Sequence, residues 1–237
     1  MLETALALLA AHLVADFVLQ TDWVIARKRE WWGMALHVLG VAVVTALAIG
    51  KFDPVVLGII VGSHLIMDLI KTFLMKDNVL SFLLDQAVHL AAIAVTAVML
   101  PVTIVGGYWG GLPAEQQNAY FCALAALCGL ILAVPAGGIL AGKIMSPLSS
   151  HIDNEGIPKA GQYIGWLERG LILMLVFIGQ PEGVGLLLAA KSILRFSDVT
   201  TTKIRAHTEY VILGTLFSFA WALGVAVLAQ AAFKHWS

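Results

Sequence analysis

The chain has 237 residues, of which 60% are hydrophobic and only 12% are charged. Soluble domains carry about twice that charged fraction. Together with a mean hydropathy of +0.91, the composition therefore predicts an all-α integral membrane protein. A net charge of −1 and the lack of a basic block argue against nucleic acid as a partner.

Eight apolar segments approach the length of about 20 residues that a helix needs to cross the hydrocarbon core. In chain order they cover residues 3–24, 33–50, 54–75, 79–100, 118–141, 161–179, 183–199 and 207–232. Glycine, proline and charged residues mark most of the breaks between them. We therefore predict about eight transmembrane helices, divided into two parts at residues 1–100 and 101–237.

Basic residues are distributed unevenly between the loops on the two sides of the predicted membrane. One side carries only Lys51 and Lys234. The other side carries Arg27, Lys28, Arg29, Lys76, Lys143, Lys159, Lys203 and Arg205. Because cytoplasmic loops are enriched in lysine and arginine, we expect the second set in the cytoplasm and both termini outside. This assignment requires an even number of spans.

A pattern of polar residues occurs twice within the first four predicted spans. The first copy contains His12, Asp16 and His37, and the second contains His64, Asp68 and His89. The offset is 52 residues at all three positions. Each copy is a helical hairpin, so this tandem duplication predicts a four-helix bundle with a pseudo-twofold axis along the membrane normal.

The repeated residue types are typical of a metal site. An aspartate at the bilayer centre is unfavourable by about 2.5–3.5 kcal/mol unless its charge is compensated, and a divalent cation bound by imidazole and carboxylate groups compensates it. We predict that the two copies supply His, Asp and His to one shared site, as two three-ligand sets that are each open to water, as in catalytic zinc centres, with manganese and iron as alternatives. Two such sites about 3.5–4 Å apart would form a dinuclear centre.

Asp85 interrupts the symmetry of the repeat. It lies four residues before His89, and Gly33 takes its place in the first copy. We predict that Asp85 bridges two metal ions or acts as a general base for the attacking water.

Gln20 and Lys71 complete the predicted catalytic set. Gln20 continues the helical stripe of His12 and Asp16 by one more turn. Lys71, at the cytoplasmic mouth of the bundle, is placed to bind an anionic group such as phosphate. The alternative for Lys71 is a lysine that only extends to the membrane interface.

A second group of charges lies in the last three predicted spans. Its cations are Arg169, Lys191 and Arg195, and its carboxylates include Glu168 and Glu209. These residues can form ion pairs that hold three helices together. Alternatively, the three cations can form a basic pocket for a lipid phosphate.

The histidine pattern also resembles a known family. The pattern HxxxDxxxQ from residue 12, H at 37, HxxxDxxK from 64 and DxxxH from 85 is similar to a domain-of-unknown-function family of bacterial inner-membrane proteins. Segments 165–169, 190–196 and 209–215 resemble longer members of that family. The resemblance implies a protein of the bacterial cytoplasmic membrane. A looser similarity to the membrane-bound metal-dependent hydrolases implies a hydrolytic reaction.

These observations predict an intramembrane metal-dependent hydrolase that acts on an ester or phosphoester, either a small molecule or a membrane lipid. A transporter of metal ions or protons could use the same intramembrane histidines and aspartates. In a third interpretation, these side chains only hydrogen-bond to each other and hold the helices together.

Overall fold

The computed structural model describes residues 1–151, 159–195 and 202–237, without the side chains of 149–151, 194–195 and 202–207. Regular structure in these ranges is entirely helical, which confirms the predicted all-α class. The α-helices are α1 (Leu2–Val14), α2 (Asp22–Ile25), α3 (Trp31–Ile49), α4 (Pro54–Leu74), α5 (Val79–Met99), α6 (Ala114–Ile131), α7 (Gly137–Met145), α8 (Ala160–Phe177), α9 (Gly183–Arg195) and α10 (Thr202–Trp236). Two π-helical turns cover Ala15–Leu19 and Leu132–Ala136.

Six helical segments in the described ranges are long and apolar enough to cross a membrane, so the predicted count of eight is not confirmed. They are Leu2–Leu19, Trp31–Ile49, Pro54–Leu74, Val79–Met99, Ala114–Leu148 and Thr208–Trp236. The sixth predicted span, now α8, carries Glu168 and Arg169 in its middle. The seventh, now α9, has only 13 described residues, about 20 Å of helix against a core of about 30 Å; its predicted residues 196–199 lie outside the described ranges.

The chain divides into two compact units, residues 1–131 with 232–237, and residues 132–231. The first unit contains the predicted bundle of residues 1–100 and continues through α6. Since six spans are also an even number, the predicted sidedness of the loops and termini is unaffected and stays a prediction.

Helix α1 lies at the centre of the first unit, where it contacts α3, α5 and α6. Its buried residues include Ala7, Ala10 and Ala11. Small side chains let neighbouring helices approach closely, and this close packing favours helix association in lipid. Because α3 also contacts α4 and α4 contacts α5, the helices of the two predicted hairpins surround a common interior.

The second predicted hairpin begins at a well-defined helix cap. The Asp53 carboxylate accepts hydrogen bonds from the backbone N–H groups of Val55 and Val56, at 3.1 and 3.2 Å, and Pro54 occupies the first turn of α4. The Lys51 ammonium lies 2.9 Å from the same carboxylate. The hydrogen bond from Lys51 and those from the backbone hold the pKa of Asp53 below its ordinary value.

In the second unit, α8 packs against α10 through apolar side chains. One cluster joins Ile172 to Phe219 and Ala222, and a second joins Leu173 and Val176 to Ala226. These contacts position Arg169, which lies on α8 one turn before the first cluster.

Candidate metal centre

The six predicted ligands converge in the interior of the first unit, and all of them are buried or nearly so. Within the described chain, three groups bring their ligand atoms within 4.8 Å of one another: His12, Asp16 and His64; His37, His64 and Asp68; and Asp16, Asp85 and His89. Every group combines residues from both copies of the repeat. The groups agree with one site shared by both copies and do not reproduce one triad per copy, because side chains meet across the interior and not along their own hairpin.

Asp16 lies at the centre of this cluster. Its Oδ1 atom lies 3.2 Å from His64 Nε2 and 3.5 Å from His37 Nε2. Its Oδ2 atom lies 3.7 Å from His12 Nδ1 and 4.0 Å from His89 Nε2. One carboxylate thus faces all four histidines.

The π-helical turn Ala15–Leu19 carries Asp16 into this position at the end of α1. A π turn adds a residue to the helical turn and redirects its side chains, and such turns are frequent at functional sites. Gln20 ends the turn with non-helical angles, φ −80° and ψ 74°. Gln20 therefore leaves the stripe on which the sequence placed it, and its catalytic role stays a prediction.

Two lysines neutralise two of the three aspartates. Lys28 Nζ donates to both carboxylate oxygens of Asp68, each at 2.9 Å, and Lys71 Nζ pairs with Asp85 Oδ2. Lys28 was expected in a cytoplasmic loop, and its buried contact with Asp68 was not predicted. Lys71, predicted to bind an external anion, already has an anionic partner in Asp85.

Gly33 allows the loop that carries Lys28 to enter the bundle. A Cβ atom at Gly33 would lie 2.2 Å from the Arg27 carbonyl oxygen, far inside contact distance. Gly33 is the first-copy counterpart of Asp85. In the second copy this position carries the Asp85 carboxylate, whereas in the first copy the loop backbone occupies the space. The difference between Gly33 and Asp85 was the one sequence signal that could have pointed to Lys28.

Four buried polar atoms of the cluster have no hydrogen-bond partner within the described part of the chain: His12 Nδ1, Asp16 Oδ1, Asp85 Oδ1 and His89 Nε2. Leaving one buried polar group unpaired costs about 1–3 kcal/mol. These atoms lie 3.2–4.0 Å from their neighbours in the cluster, mostly beyond the usual hydrogen-bond range of about 2.7–3.2 Å. Two ligands of a tetrahedral zinc ion, each about 2.0–2.2 Å from the metal, lie about 3.3–3.6 Å apart.

Gln86, a residue that the sequence analysis missed, orients His12. Its amide NH2 donates to Asp85 Oδ2 at 3.1 Å, so its carbonyl oxygen is the atom that accepts from His12 Nε2 at 3.2 Å. His12 Nε2 then carries the proton, and Nδ1 is left with the lone pair that a metal requires. Such support of a ligand's second nitrogen is typical of metal-binding histidines.

A cavity of about 10 Å³ adjoins the cluster. His12, His64, His89 and Ser63 line its polar side, and Val41, Ile60, Ala92 and Ile93 line the rest. This volume accommodates about one water molecule. The donor set and its spacing therefore fit a metal ion, and the adjoining cavity has room for one water.

In the second unit, Lys191 and Arg169 already contact groups of the chain and are not free to bind a phosphate as they stand. Lys191 Nζ donates to Glu168 Oε2 at 2.7 Å, as the ion-pair interpretation expects. The side chain of Arg195 lies outside the described residues. A lipid-phosphate site formed by Arg169, Lys191 and Arg195 stays a prediction.

Arg169 joins α8 to two other helical segments through hydrogen bonds. Its partners lie in the π-helical turn Leu132–Ala136 and in α10. Arg169 Nε donates to the Val134 carbonyl at 3.2 Å, and its Nη1 donates to Ser218 Oγ at 3.0 Å. These contacts account for its burial by helix packing in this unit.

One comparison with known proteins gives a match. Residues 5–106 match the family model described as "Protein of unknown function (DUF3307)". This segment contains the repeat and the whole candidate metal centre, so the predicted resemblance to an uncharacterised family is confirmed there. No curated protein and no solved structure matches the chain.

Proposed function

We propose that the bundle holds a divalent metal ion, with zinc as the first choice, and uses it to hydrolyse an ester or phosphoester. The observation that carries this proposal is the set of four unpartnered atoms around the Asp16 carboxylate, on His12, Asp16, Asp85 and His89. Unpaired polar atoms in an apolar interior are unfavourable, whereas a shared cation would satisfy those of His12, Asp16 and His89 and would leave Asp85 Oδ1 for the attacking water.

His12, Asp16 and His89 are the residues that would hold the ion, with His64 also within reach of Asp16. A zinc ion in such a set lowers the pKa of its bound water to about 7 and so supplies hydroxide at neutral pH. The adjoining cavity has room for that single water.

The chain's own residues have distinct roles in this proposal. Gln86 holds the His12 ring in the required tautomer. Lys71 pairs with Oδ2 of Asp85, and Oδ1 of Asp85 would accept a proton from water. Val41, Ile60 and Ile93 close the cavity on the apolar side and exclude bulk water.

Access to the site is proposed at Lys71, whose side chain is 32% exposed while the histidine side chains are almost fully buried. In the proposed orientation this opening faces the cytoplasmic half of a bacterial inner membrane. The substrate would then be a small molecule from the cytoplasm or a lipid with its ester near the headgroup region.

Transport of metal ions or protons is a second candidate. One observation favours it: the cluster is enclosed and its cavity fits about one water, which is too small for an ester without movement of the helices. A row of histidines and aspartates within 3.0–4.0 Å of each other could also pass a proton.

The test compares full-length wild type with His89→Ala, and with His235→Ala as a control at an exposed histidine. We expect bound metal in wild type and in the control, and loss in His89→Ala. Hydrolysis of lipid esters or aryl phosphoesters in detergent that follows the bound metal supports the enzyme. Metal-dependent flux in proteoliposomes without hydrolysis supports the transporter, and wild-type protein without metal contradicts both metal-based proposals.

A further inference from the structure

The three candidate ligand groups differ in whether a cation already occupies them. In the group His37, His64 and Asp68, the Lys28 ammonium contacts both oxygens of Asp68 at 2.9 Å. Lys28 is itself buried, with a side chain 8% exposed. This group is therefore filled by a positive charge from the chain.

The same ligand group also differs from the other two in its hydrogen bonds. His37 Nε2 lies 3.0 Å from His64 Nε2 and 3.1 Å from Asp68 Oδ2. None of the unpartnered buried atoms found in the described chain belongs to His37, His64 or Asp68. All four belong to the two groups that share Asp16, so the need for an added cation is confined to that side of the cluster.

The charges of the cluster also favour a single added divalent ion. Three carboxylates, on Asp16, Asp68 and Asp85, face the ammonium groups of Lys28 and Lys71, which leaves one negative charge. One divalent ion with a bound hydroxide adds one positive charge and balances it. A second divalent ion with its own hydroxide would leave one uncompensated positive charge in an interior that stabilises charge poorly.

We propose that the Lys28 ammonium replaces a second metal ion, so that a duplicated ligand set binds one ion and not two. This inference rests on the proposed metal centre and specifies its stoichiometry. The ion lies on the Asp16 side, and the dinuclear centre expected from the repeat is reduced to a mononuclear one by a residue outside the repeat pattern.

The loop geometry supports a built-in role for this lysine. The Arg27 carbonyl lies directly over Gly33, where any larger residue would displace it. The same carbonyl accepts a hydrogen bond from the Glu30 backbone N–H at 2.9 Å, which closes the turn around Lys28. The backbone thus brings the Lys28 ammonium into the bundle interior.

The experiment measures zinc per chain in full-length detergent-solubilised protein after saturation with Zn²⁺ and removal of free metal. We expect one equivalent in wild type and two in Lys28→Met, which frees Asp68 and keeps the length of the side chain. Arg29→Met removes a charge from the exposed neighbouring position and should keep one equivalent. Gly33→Ala, which displaces the loop without removing the lysine, should raise the value above one.

The double variant Lys28→Met with Asp68→Asn preserves the charge balance and should return to one equivalent, even if the single variant folds poorly. Two equivalents in wild type, or one in a folded Lys28→Met protein, would overturn the role of Lys28 and leave the metal-dependent function standing. No zinc in wild type would overturn the proposed function and this inference together.

Discussion

Asp16 and Asp68 occupy the same position in the two copies of the repeat but have different surroundings. Asp68 lies in the regular helix α4 and is held by Lys28 at 2.9 Å. Asp16 lies in a π-helical turn and faces four histidines, and it has no lysine partner within the described chain. Duplication supplied two equivalent aspartates, whereas a loop lysine gives only Asp68 a cationic partner from the chain and a helix irregularity places Asp16 among the histidines.

The largest expected effect on metal affinity comes from replacing Asp16, and it distinguishes this aspartate from Asp68. Asp16→Asn removes the central ligand charge, so we expect zinc affinity to fall by at least about 100-fold, which corresponds to about 2.7 kcal/mol. Isothermal titration with Zn²⁺ in detergent measures this, with Asp22→Asn at an exposed position as the control. Unchanged affinity in Asp16→Asn would show that the ion binds elsewhere.

Asp68→Asn should act on stability more than on metal binding. It leaves the buried Lys28 ammonium without its partner, which costs about 3–5 kcal/mol when a buried pair is broken. We expect a lower free energy of unfolding in denaturant titrations while about one zinc equivalent is retained. The Lys28→Met, Asp68→Asn pair should recover much of that loss, and an unaltered stability of the single variant would contradict the buried pair.

Gln86→Leu tests the orientation of His12. Without the amide, His12 loses the partner that fixes its tautomer, and changes at such supporting residues typically reduce metal affinity by about 10–100-fold. Zinc titration should show this decrease with the stoichiometry still at one. The variant Gln116→Leu, at an exposed position, serves as the control. Equal zinc affinities in the two variants would contradict the role of Gln86 in orienting His12.

Asp53→Ala should have the smallest effect. Loss of an N-cap side chain costs about 1 kcal/mol and affects only the start of the second hairpin. Because the pKa of Asp53 is lowered in the folded protein, its contribution is complete above a pH of about 4 and is lost as the pH falls further. Thermal unfolding should therefore separate wild type from the variant at pH 7 and bring them together in acid.

The sequence predicted the convergence of the ligands well, for a physical reason. Four apolar helices carrying His and Asp at one constant offset must bury these groups together, because lipid does not solvate them. The all-helical class and the stacking of His12 with Asp16 follow from the same pattern. The repeated residues therefore predicted which side chains lie together in the interior of the first unit.

Features that depend on the path of the backbone were not predictable. The contact of Lys28 with Asp68 requires the loop to fold inward, and a lysine next to two arginines is more typical of a solvated loop. The π turn at Asp16 has no distinctive residue such as proline or glycine. The count of eight spans is not confirmed, because local hydropathy does not separate a short or charged helix, such as α9 or α8, from a full crossing.

The most direct test of the central claim is an anomalous diffraction map, recorded at the zinc absorption edge from crystals of the full-length protein grown with Zn²⁺. The account predicts one peak in the first unit, within about 2.0–2.2 Å of ligand atoms of Asp16, His12 and His89, with Lys28 still bound to Asp68. A peak next to Asp68 in place of the Lys28 ammonium, or no peak among these residues, would contradict it.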